Sequence, residues 1–399
     1  MSILDLLLDH DKWNEFLDYK IEKSHLSKAE EQNLISYVND KQYLPIAKQV
    51  VDGTYTFSVP SKVLLNKTGT SKKRVIYTFE YAENTILKFV LFCMAKYDQT
   101  FSSNCFSFRK NLTIKNAIFS LLSNKDIYNM YAYKLDISNY FNSIPVRKLL
   151  PILEKVLVDD SRLYEFIRDI ITSEKAILDG VEITEKQGVM AGTPLSTFLA
   201  NIYLTDLDKY FEKKNVIYAR YSDDIIVFAP DLVTLSEYKR YILTTLSDKG
   251  LAVNPEKEFI FKPHEPWNFL GFEFCDGTID LSNITLNKIK AKIRRKARAL
   301  YRWKTRKSKT TEHTIKVMLR VFNTKFYKRD NVKDFTWCKW FFPVITTHVR
   351  LEIIDNYLVQ YLRYLSTGRF SKSNYKITYD YLKVLGFRSL VNEYYKFSK

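Results

Sequence analysis

The stretch VIYARYSDDIIVFAP, residues 216–230, holds two adjacent acids between two short runs rich in β-branched and aromatic residues. Such runs favour strands, so the stretch predicts a β-hairpin with Asp223 and Asp224 at its tip. Successive side chains of a strand point to opposite faces, and a turn is needed to redirect two neighbouring acids toward one site. The hairpin tip is therefore the first candidate site in the sequence.

Two upstream segments complete a pattern with this hairpin. The segment KLDISNYFNSI, residues 134–144, places Asp136 at the end of a predicted strand, before the aromatics Tyr140 and Phe141. The segment QGVMAGTPLSTFLANIYL, residues 187–204, is a glycine-containing loop that leads into a predicted helix. Asp136 precedes Asp223 by 87 residues, so the two acids must come from different strands that lie side by side.

A cluster of carboxylates suits phosphoryl transfer. Two divalent ions roughly 3.5–4 Å apart can activate an attacking hydroxyl and neutralise a leaving pyrophosphate. Mg²⁺ prefers carboxylate oxygen and keeps several waters, so two or three Asp residues suffice. An isolated Asp-Asp pair is usually a loop or a helix cap, and Asp136 alone could cap the segment that follows it. The ordered combination of the three acids in strand contexts indicates metal-dependent catalysis.

These segments resemble the palm motifs of reverse transcriptases, especially stand-alone bacterial enzymes that are related to those of group II introns and are implicated in phage defence. YSDD resembles the Y-x-D-D box, with Ser222 where Ala or Met is commoner, and KLDISNYFNSI resembles the first palm motif. QGVMAGTPLSTFLANIYL resembles the motif that contacts the incoming nucleotide and the template, although Ser-Pro usually follows Gln-Gly more closely. SKKRVIY and FSSNCFSFRK resemble the fingers motifs, and NPEKEFIF with NFLGFEF resembles the last palm motifs and the primer grip.

The resemblance implies roles for individual residues. Asp136, Asp223 and Asp224 would be catalytic and would bind Mg²⁺, or alternatively Mn²⁺, with Ile137 as a further metal ligand. Phe141 would be an aromatic gate that favours deoxynucleotides, although from the residues alone it could equally be a core side chain. The other residues that would bind the nucleotide are Lys72, Arg74, Gln187, Gly188 and Lys257, of which the last would be a general acid near the pyrophosphate. The residues that would bind nucleic acid are Arg109, Gly271, Arg294, Arg295, Arg298 and Arg302.

The positive charge of the chain is concentrated in its last third. Residues 281–399 carry 28 Lys and Arg against 7 Asp and Glu, whereas the whole chain has a net charge of +17. Such a one-sided field indicates a polyanionic partner, and nucleic acid is favoured over an anionic membrane surface. Residues 287–309 contain no acid, and apolar residues recur at Ile289, Ile293, Ala297 and Leu300. This spacing predicts a helix with one apolar stripe and basic faces, which the resemblance identifies as a thumb.

The predicted fold class is α+β, a right-hand polymerase fold in which an antiparallel sheet packs on helices, followed by a basic α-helical thumb. The predicted divisions are an N-terminal helical segment at 1–40, fingers and palm at 41–280, the thumb at 281–345 and a helical C-terminal extension at 346–399. The runs TYTFSV (54–59) and RVIYTFEY (74–81) predict strands in the fingers, and Asp276-Gly277 predicts the turn of a further hairpin.

The expected function is that of an RNA-directed DNA polymerase that uses dNTPs to copy a structured non-coding RNA into DNA in anti-phage defence. Template-independent or protein-primed DNA synthesis, a non-catalytic RNA-binding splicing cofactor and an RNA polymerase are the alternatives, and Phe141 argues against the last. The four cysteines have no CxxC spacing and fit a reducing cytoplasm. The N-terminus does not read as a signal peptide, and no apolar run approaches the roughly 20 residues of a membrane helix. A soluble cytoplasmic protein with no membrane partner is expected.

Overall fold

The computed structural model describes residues 1–23, 26–66, 73–185, 188–327 and 336–398. These residues form two compact units, Met1–Pro263 and His264–Lys399. In the described part of the chain, the first unit combines helices with two four-stranded sheets, and the second combines helices with one three-stranded sheet. The predicted α+β class is confirmed.

The first unit begins with helices, as predicted for residues 1–40. Its α-helices are α1 (His10–Lys23), α2 (Lys28–Asn39), α3 (Leu44–Val51), α4 (Tyr81–Cys93), α5 (Ile114–Leu122), α6 (Tyr140–Ser143), α7 (Val146–Val156), α8 (Ser161–Ile171), α9 (Ser196–Tyr203), α10 (Thr205–Lys213) and α11 (Leu232–Asp248). Its strands are β1 (Ser61–Asn66), β2 (Lys73–Thr78), β3 (Tyr131–Asp136), β4 (Lys175–Leu178), β5 (Val181–Thr184), β6 (Tyr218–Tyr221), β7 (Asp224–Ala229) and β8 (Phe259–Phe261). Short 3₁₀ turns cover Ile3–Leu8, Met94–Thr100, Ile127–Asn129 and Pro255–Lys257.

The sheet that carries the three acids has the strand order β6-β7-β3-β8 and is antiparallel throughout. Tyr133 and Leu135 of β3 and Val227 of β7 are fully buried, and they belong to one large apolar core together with residues of α9, α10 and α11. Full burial of each such side chain contributes about 1.5–3 kcal/mol. The sheet is therefore fixed on its helical side, and this packing positions the ends of β3 and β7.

The other four-stranded sheet has the order β2-β1-β4-β5. Residues 74–78 of RVIYTFEY lie in β2, as predicted, but its last residue, Tyr81, begins α4. The predicted strand at TYTFSV is wrong, because the partner of β2 is β1 at Ser61–Asn66. Residues 54–59 are held by contacts with side chains and not by the backbone hydrogen bonds of a β-ladder. The Tyr55 hydroxyl and the Ser58 backbone N–H both donate to the Glu83 carboxylate, and the Phe57 ring packs edge-on against Phe79.

The second unit contains the three-stranded sheet of β9 (Trp267–Phe269), β10 (Phe272–Cys275) and β11 (Thr278–Leu281). The predicted turn between the last two strands is confirmed, since Asp276 and Gly277 have φ of 41° and 83°. Both residues of a type I′ turn require positive φ, and Asp-Gly tolerates it. The helices that follow are α12 (Asn283–Arg306), α13 (Thr311–Phe326), α14 (Trp337–Phe341), α15 (Val349–Thr367), α16 (Tyr379–Val384) and α17 (Leu390–Phe397).

Helix α12 is the predicted basic helix. Its apolar stripe is buried, as the spacing predicted, at Ile289, Ile293, Ala297 and Leu300, and the helix packs against α13 and α15. The Ser282 hydroxyl caps its first turn by accepting from the Thr285 N–H, and Lys304 in its last turn donates to the carbonyls of Leu365 and Ser366. No helix in the described residues is both long enough and apolar enough to span a bilayer.

Candidate active site

The acids of the predicted site come from neighbouring strands. Asp136 is the last residue of β3 and Asp224 is the first residue of β7, and the two face each other directly in the antiparallel register. Directly opposite residues of an antiparallel pair project from the same face of the sheet. Asp223 precedes β7 in the turn, and its carbonyl accepts from the Ile137 N–H at 3.0 Å. The structure therefore brings the three predicted acids to one end of the sheet.

The turn between β6 and β7 consists of Ser222 and Asp223, because Tyr221 and Asp224 are paired as register neighbours. Ser222 has φ of +62°, which a non-glycine residue adopts only when its surroundings hold it there. Its N–H donates to the Ser107 hydroxyl at 2.8 Å, and the residue is buried. The sequence predicted that a turn is needed to direct two neighbouring acids toward one site, and this two-residue turn is in that position.

Burial and mutual repulsion shape the electrostatics of the site. Burial, and then repulsion from the Asp136 carboxylate, raises the pKa of Asp223 above its usual range. Burial raises the pKa of Asp224 to about 6, against the attraction of the Lys134 ammonium. Two carboxylates whose charged forms are disfavoured by their neighbours are suited to a bound cation, which removes the repulsion.

One cation already contacts the site. The Lys257 ammonium lies 2.5 Å from Oδ2 of Asp136, which is itself buried, while the lysine side chain is 55% exposed. Within the described residues, no group of three or more His, Cys, Asp or Glu side chains is gathered closely enough to hold a metal ion as it stands. The donor chemistry nevertheless fits a hard divalent ion, because the three acids offer carboxylate oxygen and Asp136 already holds a positive charge.

Phe141 lies on the short helix α6, five residues after Asp136. Its ring is half-buried and packs edge-on against Phe108 at 5.9 Å and against Tyr140 at 5.7 Å. Its carbonyl accepts from the Val189 N–H at 2.9 Å. A side chain at Gly188 would lie 2.3 Å from that same carbonyl oxygen, so only glycine permits this close approach. The loop that the sequence predicted to bind the nucleotide therefore lies directly against the predicted gate.

A buried ion pair supports the turn, and the sequence analysis missed it. Arg220 of β6 and Asp208 of α10 are both fully buried, and the guanidinium donates to both oxygens of the carboxylate, at 2.6 Å at closest. The same guanidinium donates to the Ser222 carbonyl at 3.4 Å. Asn201 Oδ1 accepts from Ser107, the residue that holds the Ser222 N–H. Polar side chains of α9, α10 and β6, together with Ser107, thus form a network that holds both the N–H and the carbonyl of Ser222 in the acidic turn.

The other predicted residues are spread along the chain. Arg74 is exposed on β2, and Lys72 and Gln187 lie outside the described residues. Arg109 donates to the carbonyls of Ser102, Cys105 and Asp98, so its guanidinium organises its own loop. Gly271 has φ of +93°, and its carbonyl accepts from Ser282 and Thr285 at the start of α12. The predicted arginines of α12 are all exposed, at positions 294, 295, 298 and 302.

The chain is similar to several known proteins. Over 207 residues it is 23% identical to a putative COX1/OXI3 intron 2 protein of Saccharomyces cerevisiae, which covers 49% of this chain and 23% of that protein. Over 167 residues it is 23% identical to the retron Ec86 reverse transcriptase of Escherichia coli, which covers 41% of this chain and 48% of that enzyme. The chain thus spans at most about half the length of these curated relatives.

Among solved structures, the chain resembles telomerase of Candida albicans in complex with a fragment of telomeric RNA. The TM-score is 0.45 at 12% identity, covering 92% of this chain and 73% of that one, and so weak a likeness carries no argument. The family pattern described as reverse transcriptase (RNA-dependent DNA polymerase) matches residues 65–274, which is more than half of the sequence and includes all three acids. The chain therefore belongs to the reverse transcriptase family, as its motifs predicted.

Proposed function

We propose that this chain is an RNA-directed DNA polymerase that joins dNTPs by two-metal-ion phosphoryl transfer, with Asp136, Asp223 and Asp224 as the metal-binding carboxylates. The observation that carries the proposal is the register of β3 and β7, which sets Asp136 opposite Asp224 and beside the turn. Mg²⁺ or Mn²⁺ bound there would activate the attacking hydroxyl and neutralise the triphosphate. The Ile137 side chain is a hydrocarbon, so only its main-chain carbonyl could serve as a further ligand.

The chain's own groups perform the remaining work. In the reaction, the 3′-oxygen of the primer bonds to the α-phosphorus, and the bond to the oxygen that departs with pyrophosphate breaks. Lys257 is more than half exposed and can leave Asp136 when another cation takes its place. Its ammonium would then donate a proton to the departing pyrophosphate as a general acid. Arg74, with Lys72, would contact the triphosphate.

Selection of deoxynucleotides would come from Phe141. Its main chain is fixed by the bond from Val189 and by the close approach of Gly188, and Tyr140 beside it donates from its hydroxyl to the Ala200 carbonyl at 2.6 Å. A backbone held in this way cannot shift away from a ribose 2′-hydroxyl, so the ring could make room for that group only by changing its rotamer. Together with Gln187, this loop would hold the incoming nucleotide.

Affinity for nucleic acid would come from α12. Its exposed Arg294, Arg295, Arg298 and Arg302 follow one another at helical spacing, so that three of them lie along one line of the helix. Phosphate contacts of this kind give affinity without sequence choice. Arg109 and Gly271 would contact nucleic acid through the segments that they organise.

We further propose that the template is a structured non-coding RNA and that the enzyme acts in the bacterial cytoplasm, in anti-phage defence. The support is the resemblance to stand-alone bacterial enzymes, together with the excess of basic residues in 281–399 available to hold an RNA. This role rests on the polymerase activity and is tested after it.

The first experiment measures Mg²⁺-dependent dNTP incorporation on an RNA template with a DNA primer, using full-length protein purified with RNase treatment. The double variant Asp223→Ala, Asp224→Ala is expected to be inactive. Asp126→Ala is the matched control, because it removes an exposed acid that lies outside the site. Incorporation by the wild type and the control, and none by the double variant, is the expected result.

Inactive wild-type protein would be tested again without RNase treatment and with no added template. Incorporation that returns with the co-purified RNA identifies that RNA as the template or cofactor, and sequencing the product identifies the copied region. Incorporation that needs no template indicates untemplated or protein-primed synthesis. A wild type that is inactive in every format, but binds RNA, contradicts the polymerase proposal.

A further inference from the structure

A second concave site lies in the first unit, and it is lined in part by Phe108, whose ring also packs against the predicted gate Phe141. It is a cavity of about 290 Å³ bordered by α1, α4, the loop that ends at Lys110, and α9. None of Asp136, Asp223, Asp224 or Phe141 lines it. The cavity is near the lower end of the volumes of small-molecule sites, about 300–1,000 Å³, so it has room for one small unit.

Positive charge dominates the described lining of this cavity. Four basic side chains face a single carboxylate, Asp98, whose nearest ion-pair partner is Arg109 at 3.9 Å. The other three cations are Lys20, Lys88 and Lys110, and no ion pair joins them to a carboxylate of the described residues. Burial, and then repulsion from Lys88, lowers the pKa of Lys20 to about 8, and burial also lowers the pKa of Lys88. Glu30 attracts Lys88 and Asp98 attracts Lys110, but neither carboxylate forms an ion pair with its lysine. Burial of a cation costs free energy that such carboxylates offset only in part, and a bound anion reduces that cost further.

Aromatic rings line the same cavity. The Lys110 ammonium lies 5.2 Å from the Tyr19 ring centre and 5.1 Å from that of Phe92, so it is held over two rings. Phe108 is 51% exposed, although it is a large apolar residue, and its φ of +57° is rare for a bulky side chain. An exposed ring on a strained backbone is typical of a residue kept for contact with a ligand rather than for packing.

We infer that this cavity binds a nucleotide unit, with its phosphate at Lys20, Lys88 and Lys110 and its base against the exposed Phe108 ring. Lysine binds phosphate as a point charge, and base–aromatic stacking tolerates any base. A lipid surface would require a convex or flat basic face, whereas these cations line a concavity. The nucleotide is either free or one residue of a single strand, since both present the same chemistry. The inference stands whether or not the chain synthesises DNA.

The test uses full-length Asp223→Ala, Asp224→Ala protein, so that catalysis contributes nothing to the signal. Two fluorescent probes are titrated: N-methylanthraniloyl-ATP for a free nucleotide, and a 5′-labelled oligothymidylate for a strand. Into this background are introduced Lys20→Gln with Lys88→Gln and, separately, Lys110→Gln. The matched control is Lys125→Gln with Lys155→Gln, which removes the same charge from exposed positions outside the lining.

The cavity variants are expected to bind at least one probe about tenfold more weakly than the control does, because each lysine that no longer neutralises a phosphate removes one step of counterion release. For the strand, the slope of log K against log salt is also expected to become shallower by about 0.7 for each phosphate that the variant leaves without a lysine. Weaker binding of the ATP analogue alone identifies a free nucleotide, and weaker binding of the oligonucleotide alone identifies a strand. Unchanged affinity for both probes overturns the inference.

Thermal melting separates ligand binding from folding. Removal of Lys20 and Lys88 should leave the melting temperature unchanged or raise it, because it removes two desolvated cations that repel each other. A lower melting temperature with unchanged probe affinity would mean that the lysines serve the fold and would also overturn the inference. Lys110 is exposed, so Lys110→Gln reports on binding even if the double variant fails to fold.

Discussion

The end of the β3–β7 pair and the helix α12 both depend on charge, but they hold it in opposite environments. At the strand ends, Asp136 and Ser222 are buried, and behind them Arg220 and Asp208 are fully buried. On α12, a buried apolar stripe supports arginines that remain exposed. A buried charge must have a partner and a defined geometry, whereas an exposed charge acts on whatever polyanion approaches. The first arrangement suits chemistry and the second suits affinity without sequence preference.

Removal of one metal-binding carboxylate should give the largest effect. Asp223→Asn keeps the shape of the turn, because the Asp223 main chain still accepts from Ile137. Loss of a metal ligand forfeits several kcal/mol of transition-state stabilisation, so kcat for dNTP incorporation should fall about 1,000-fold. Binding of a template–primer duplex should change by less than about twofold if the strand ends serve chemistry alone. Asp126→Asn is the control, and comparable losses in both variants would contradict the assignment.

Loss of the buried Arg220–Asp208 ion pair should have the second largest effect. Arg220→Met leaves the Asp208 carboxylate buried without its partner, which costs about 3–5 kcal/mol of stability. Arg220→Met with Asp208→Leu should recover most of that stability, because apolar pairs of similar volume replace buried ion pairs well. The free energies of unfolding are measured by denaturant titration.

Activity of that double variant then reports on positioning. If the guanidinium also holds the Ser222 carbonyl, kcat should stay low although stability has returned, while KM for the template–primer stays near the wild-type value. Full activity in the stabilised double variant would show that the network serves the fold alone. On α12, by contrast, Arg298→Gln should change stability by no more than about 0.5 kcal/mol, since its side chain is exposed.

The two regions also differ in how far the sequence predicted them. The acidic hairpin and the stripe of α12 were predictable because each follows a local rule. The hairpin strands are rich in β-branched and aromatic residues, and apolar residues recur about every four residues in the helix. The Arg220–Asp208 pair was not, because its partners lie on different elements and only the packing of β6 on α10 makes them meet. The available signal was that Arg220 and Asp208 are charged residues on elements whose neighbouring residues were predicted to be in the core.

The fingers show two further misses with different causes. TYTFSV has strand composition, but Tyr55 and Ser58 satisfy their polar groups at Glu83, so tertiary contacts override the local preference. The hairpin of β4 and β5 had a usable signal, since Asp179 and Gly180 form its turn with φ of 50° and 83°. The loop ending at Lys110 was assigned to nucleic acid by resemblance, yet the contacts of its side chains come only from the structure.

Substitution of the predicted gate should separate substrate selection from affinity. Phe141→Ala removes the ring that would crowd a ribose, so the preference for dNTP over rNTP, measured as a ratio of kcat/KM values, should fall about 10- to 200-fold. The backbone bond from Val189 does not involve the ring and should survive the change. Phe119→Ala, which truncates an exposed ring elsewhere in the first unit, is the control. An unchanged ratio would assign Phe141 to the core.

The smallest effect is expected on α12. Arg294→Gln with Arg298→Gln should weaken binding of a template–primer duplex several-fold, equally for all sequences, and should lower the slope of log K against log salt by about 0.9 for each phosphate left without an arginine. Rates at saturating duplex should not change, because phosphate contacts of this kind supply affinity and not chemistry. Arg147→Gln with Lys155→Gln removes two exposed cations of the first unit and controls for net charge. A fall in kcat without a change in the slope of log K against log salt would mean that α12 takes part in catalysis. It would contradict the assignment of chemistry to the strand ends and of affinity to α12.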